Sequence, residues 1–161
     1  MKKNIFKSLI VFLILAMSMS VFPTVVFAAG DLFEVDGYDC RLDKPTSGPD
    51  TNKWHVHVND SKGREVGVES VDGSPSHKQT LSRVPNKTKA KIKSHAKWKK
   101  GVKEQAKLDK ATAQIKSRGL NLNKTGDIII AIAIVAAATL TWFFPGDDIA
   151  SWGNLLRVIT T

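Results

Sequence analysis

The chain has 161 residues, 42% of them hydrophobic, with one cysteine, four histidines and a formal net charge of +9. A lone cysteine, Cys40, excludes an internal disulfide framework, leaving a free thiol, a lipid or metal ligand, or half of an intermolecular bridge. The charge is segregated: residues 29–85 carry a net of −3, residues 86–124 a net of +11 and residues 125–161 a net of −2. One basic block therefore sets the overall sign, and such a block seeks anionic polymer.

Lys2, Lys3 and Lys7 precede an uncharged, largely apolar run, Ser8–Phe22, and small residues follow at Val26 and Ala28. This is the order of a signal peptide, expected over residues 1–28 with cleavage after Ala28. Export is the consequence. Residues 29–124 are then extracytoplasmic, in a product that stays with the membrane or is released to the medium.

A small β-rich domain is expected over residues 29–85. Leu32–Tyr38 reads as a short strand, and Pro45, Gly48, Pro49 and Asp50 mark a loop. Asp31, Glu34, Asp36 and Asp39 lack the ligand pattern of a calcium loop and read as a solvated acidic surface. Trp54, Val56 and Val58 alternate with His55, His57 and Asn59, and Val66 and Val68 alternate with Glu65, Gly67 and Glu69. That is the period of two half-buried strands. With Ser61-Lys62-Gly63 as a three-residue loop and Gly63 left-handed, Val58 faces Val66, Val56 faces Val68, Trp54 faces Ser70, Asp60 meets Arg64 and His55 meets Glu69. Asp72-Gly73-Ser74-Pro75 forms the next turn.

Residues 86–119 are rich in Lys and Ala without an internal Pro and read as one Lys-rich helix. Asn86 or Thr88 caps its start, Arg118-Gly119 marks its end, and Gly101 is its one point of interruption. Its amphipathicity is weak, and Lys93, Lys97, Lys99, Lys100, Lys103, Lys107 and Lys110 are the expected anion-binding residues. Residues 120–126 form a linker. Residues 127–161 form a hydrophobic helical tail, expected as a membrane span or a hairpin turned at Pro145-Gly146.

The core of that tail, Ile128–Phe144, is seventeen residues without a charge. As a helix it is about 26 Å long, just short of the ~30 Å hydrocarbon core of a bilayer. Ile128, Ile132, Val135, Leu140, Trp142, Phe143, Phe144, Trp152, Leu156 and Ile159 are the expected membrane contacts. Yet Lys116, Arg118 and Lys124 lie on the outer side of such a span and Asp147 and Asp148 on the inner, the reverse of the usual bias. Insertion after secretion removes the conflict, and so does a fold that buries the tail.

The fold class expected is therefore α+β: a small antiparallel hairpin-containing domain, a long Lys-rich helix, an apolar C-terminal helix and a shorter amphipathic helix. For chemistry, His55 and His57 share one strand face and His77 follows the next turn, a set that suits zinc or a similar ion, with Glu69 as the nearest carboxylate. The spacing is not that of a conventional zinc motif, and exposed strands often carry histidine, so ordinary surface is the preferred reading and metal binding the lesser one. His95 reads as surface. No phosphate loop, dinucleotide motif or nucleophile elbow is present, so neither an enzyme nor a resident cofactor is expected.

Two functions fit. One is an exported, membrane-associated small bacterial protein whose Lys-rich segment binds anionic envelope surfaces, with anionic lipid or wall polymer as partner, self-association through the apolar tail, and no specific nucleic acid. The other follows from the plan of signal, modest domain and apolar C-terminal segment, which is similar to precursors of secreted bacterial peptide toxins. In that reading the C-terminal region is membrane-active.

Overall fold

An Asp-Gly turn at Asp36-Gly37, a glycine-bearing loop at Gly63 and two alternating apolar runs organise the N-terminal half into four strands. A computed structural model describes residues 31–46, 48–138, 156 and 160. The expected signal peptide lies outside the described residues, as do Leu140, Trp142, Phe143, Phe144, Trp152, Ile159 and the turn at Pro145-Gly146. Strands β1 (Asp31–Val35), β2 (Tyr38–Asp43), β3 (His55–Asn59) and β4 (Glu65–Ser70) form an antiparallel sheet in the order β1-β2-β3-β4. The single strand expected over Leu32–Tyr38 is in fact two. Asp36 and Gly37 sit at φ of 52° and 78°, the left-handed pair that a two-residue hairpin turn requires.

Pairing of Phe33 with Cys40, Cys40 with Val58, and Leu42 with Val56 puts these side chains on one face, where they enter the main core. Cys40 is 1% exposed there, and burial, aided by the charge of Asp39, pushes its thiol up to about 12. It is a packing residue, with neither the access nor the thiolate needed for a bridge or a metal ligand.

The β3–β4 loop forms as expected: Gly63 has φ of 74°, and Asp60 N–H donates to the Arg64 carbonyl at 2.9 Å. Beyond it the register differs from expectation. Asn59 pairs with Glu65, but Val58 pairs with Gly67, Val56 with Glu69 and His55 with Ser70. Val66 is thus an extra, bulged residue, and every later side chain changes face. The cause lies at Gly67. A Cβ there would stand 2.5 Å from the Thr80 carbonyl oxygen, so only glycine admits this close approach on the helix side. Glu69 is consequently turned away from His55. It accepts from Leu81 N–H at 3.0 Å and pairs with Lys93, while Val68 joins the histidine face.

A 3-10 turn (Leu81–Arg83) leads to α1 (Asn86–Ser94), α2 (Ala96–Ser117) and α3 (Thr125–Ala138). The one helix expected over 86–119 is therefore two. Pro85, rather than Asn86 or Thr88, is the N-terminal cap residue of α1. The break is at His95, whose ψ is 147° and whose Nδ1 accepts from Lys97 N–H at 3.2 Å as the cap of α2. Its ring stacks on Phe33 with centroids 4.4 Å apart, so it is a structural cap rather than bare surface. Gly101 does not interrupt α2. It is buried where a Cβ would come within 2.8 Å of Leu42, which lets the helix lie close against β2.

The expected transmembrane helix is not found: no helix among the described residues is long and apolar enough to cross a membrane. Helix α3 has 14 residues, about 21 Å in length. It packs along α2 and places Ala131 and Val135, each 0% exposed, in the protein's own core. Leu156 is fully buried in the same cluster, with Ile128 and Ile132 partly buried against it. The described residues thus form a small α+β domain in which a four-stranded antiparallel sheet packs three helices, α1, α2 and α3, against one of its faces.

Candidate metal centre

The other face of the sheet carries the polar chemistry. Asp43 pairs with His55 and Arg41 with His57 across β2 and β3, so all four side chains stand on the side away from the core. His77 arrives from a different element. Ser76 and Gln79 exchange backbone hydrogen bonds at 3.0 and 2.8 Å around a two-residue turn. In it His77 and Lys78 hold φ of 50° and 60°, a left-handed pair without glycine. Ser76 Oγ and His77 N–H both donate to the Asp50 carbonyl, at 2.9 and 3.2 Å, and tie the turn down over the sheet.

One ring nitrogen from each of His55, His57 and His77 lies within 4.8 Å of the other two. His55 is buried, His57 half-buried and His77 exposed, so the cluster has one dry side and one wet side. Its outer partners fix the rings. His55 Nδ1 donates to the Lys53 carbonyl at 2.8 Å, which leaves Nε2 with a free lone pair directed at the cluster. Lys53 is itself anchored, its ammonium donating to Asp72 at 2.6 Å and to Ser74 Oγ at 3.2 Å. His57 Nδ1 stands 2.7 Å from Glu65 Oε2, and Gln79 Nε2 donates to the second Glu65 oxygen at 2.9 Å.

Protonation favours ligand binding. Burial holds the His55 imidazole below its ordinary range, against the opposing pull of the Lys53 carbonyl, so the ring is neutral at pH 7. Burial alone would raise the Glu65 carboxyl, but hydrogen bonds from His57 and Gln79 outweigh it and hold the group ionised below the usual carboxylate range. His55 Nε2 and His77 Nε2 are 3.3 Å apart. Since His55 spends its one hydrogen on the Lys53 carbonyl, His77 Nε2–H must be the donor in the metal-free molecule. A cation entering the cluster displaces that hydrogen.

The structure brings together three of the four residues expected to ligate a metal and leaves out Glu69, which the bulge sends to the helix side. The residues that orient the rings, Glu65, Gln79 and the carbonyl of Lys53, carry no sequence signature, because their roles depend on register and loop path. Of the expected anion-binding lysines, Lys93 pairs with Glu69, Lys97 and Lys100 with Asp31, and Lys107 with Glu104. Lys99, Lys103 and Lys110 are exposed on α2 with no carboxylate partner among the described residues. Asp31 and Asp36, expected as solvated surface, are salt-bridge anchors for α2 and α1, the latter through Lys91 at 2.5 Å. Comparison with known protein families, with curated proteins and with solved structures finds no match for the chain.

Proposed function

We propose that this is an exported metal-binding protein, holding one divalent ion of the zinc class on its exposed sheet face through His55, His57 and His77. The observation that supports this most is the convergence of three imidazoles from two elements, two of them with Nδ1 already engaged by an oxygen acceptor. Imidazole is a borderline ligand suited to zinc, copper and nickel rather than to calcium or magnesium. An outer acceptor on Nδ1 sets the tautomer and aims Nε2 at the ion. A left-handed turn built from His and Lys fits the same reading, since an unstrained turn there would use Asn and Gly.

The test is titration of the metal-free mature chain with zinc. One ion per chain is expected, with binding abolished in a variant carrying His55→Ala, His57→Ala and His77→Ala. Equal stoichiometry in both proteins overturns the assignment.

A second element of the function rests on Lys99, Lys103 and Lys110. Spaced by four and seven residues, they form one exposed ridge of α2, and they suit contact with anionic lipid or wall polymer outside the cell.

A further inference from the structure

Three imidazoles leave a tetrahedral ion one ligand short, and the fourth position decides whether the site binds substrate or only metal. We infer that Asp43 fills it, making a closed centre of three histidines and one aspartate. The inference rests on the metal reading above and extends it to the kind of site.

The argument is geometric. With zinc–ligand bonds of about 2.0–2.1 Å, any two ligand atoms of a regular tetrahedron stand about 3.3–3.4 Å apart. His55 Nε2 and His77 Nε2 are separated by 3.3 Å. His57 Nε2 and Asp43 Oδ2 are separated by 3.4 Å. Those two edges have the required length, while the three histidine nitrogens lie within 4.8 Å of one another and Asp43 pairs with His57 alone of the three, so the Asp43 carboxylate and the rings must draw together around the ion.

Asp43 is also held in place. Arg41 Nε donates to Oδ1 at 2.9 Å and its terminal nitrogen donates to Oδ2 at 2.7 Å, a fork that fixes the carboxylate plane. Arg41 and Asp43 lie on the same face of β2, so strand geometry alone sets that fork. Glu65, the other nearby carboxylate, is engaged by His57 Nδ1 and by Gln79 Nε2 and serves as an orienting partner.

A closed four-ligand centre leaves no position for a reacting water. The site therefore retains metal, as a structural or sequestering centre does, instead of performing metal-assisted hydrolysis.

The test uses the mature chain loaded with cobalt(II) as a spectroscopic stand-in for zinc. Asp43→Ala should weaken zinc binding by at least about tenfold. Asp43→Cys should retain tight binding and add a sulfur-to-cobalt charge-transfer band that the wild type lacks, although the wild type contains Cys40. That band establishes ligation at position 43 and appears only in a folded site. Its absence from a folded, cobalt-loaded Asp43→Cys protein, or wild-type affinity in Asp43→Ala, overturns the role of Asp43 alone. Failure of the wild type to bind zinc or cobalt overturns the metal reading itself.

Discussion

His77 and Lys78 are held in a conformation that their side chains disfavour. A left-handed L-residue costs about 1–2 kcal/mol, and two in succession are retained only where the surrounding structure over-determines them. Ser76 and His77 do this through their two bonds to the Asp50 carbonyl. Replacing the pair by His77→Asn with Lys78→Gly should therefore raise the metal-free stability by about 2 kcal/mol, because Asn-Gly is the preferred occupant of such a turn. The same change removes a ligand. Urea denaturation with chelator present should show the gain, and zinc titration should show the loss. A variant that is less stable, or that binds zinc unchanged, contradicts the idea that strain here is kept for the ligand. His55, His57 and His77 were all legible as a set in the sequence, since alternation alone puts the first two on one face. Glu69 was misread because alternation was carried straight through Val66, where a bulge reverses it. Asp43 and Arg41 were invisible because they come from β2, a strand that appears only once Asp36-Gly37 is recognised as a turn.

At the scale of elements, the same blind spot hid how the helices meet the sheet. The buried stripe of α2 runs through Trp98, Gly101, Glu104, Gln105, Leu108, Ala111 and Ile115. Three of its seven members are a glycine, a glutamate and a glutamine, so a search for apolar periodicity finds little. Yet the stripe is physically coherent. Gly101 permits close approach, and Gln105 accepts from Trp54 N–H at 2.9 Å to satisfy a buried backbone donor. Ion pairs complete the attachment of the β1–β2 hairpin: Asp31 to Lys97 and Lys100, Asp36 to Lys91. The Lys100 ammonium, with Lys97 behind it, holds the Asp31 carboxyl below its ordinary value of 3.8 against the opposing effect of partial burial. The folded chain thus binds this proton less readily than the unfolded chain does. The stabilisation is fully present above pH 3.8 and is lost as pH falls through the lowered value. Thermal melts from about pH 2 to 5 should accordingly fall less steeply with acid for Asp31→Asn than for the wild type. Parallel curves would mean that the pairs are too solvated to matter, as surface pairs often are.

Over the whole molecule, the sheet divides two chemistries. Its outer face presents the histidines, and its inner face is covered by helices whose own outer side carries lysine. Part of the basic block of residues 86–124 is consumed internally, because acidic residues of the sheet and its first turn draw Lys91, Lys93, Lys97 and Lys100 inward. A net of +11 counted along the sequence therefore overstates the charge available to a partner. Among the lysines of α2 without a carboxylate partner, Lys99, Lys103 and Lys110 form a ridge spanning about 16 Å. A lysine near an anionic surface contributes about 1 kcal/mol, so replacing all three by alanine should weaken binding to phosphatidylglycerol vesicles by about a hundredfold. Raising the salt should weaken the wild type and leave the variant little changed, because the attraction lost is the screened one. Zinc binding should be the same in both, since the sheet and its core lie between the ridge and the histidines. Co-sedimentation with vesicles at low and high salt reads the first two outcomes, and zinc titration of the same preparations reads the third. Wild-type vesicle affinity in the triple variant would place the anionic contact elsewhere on the chain. Loss of zinc along with the lysines would show that the two faces are coupled, which a sheet separating them does not allow.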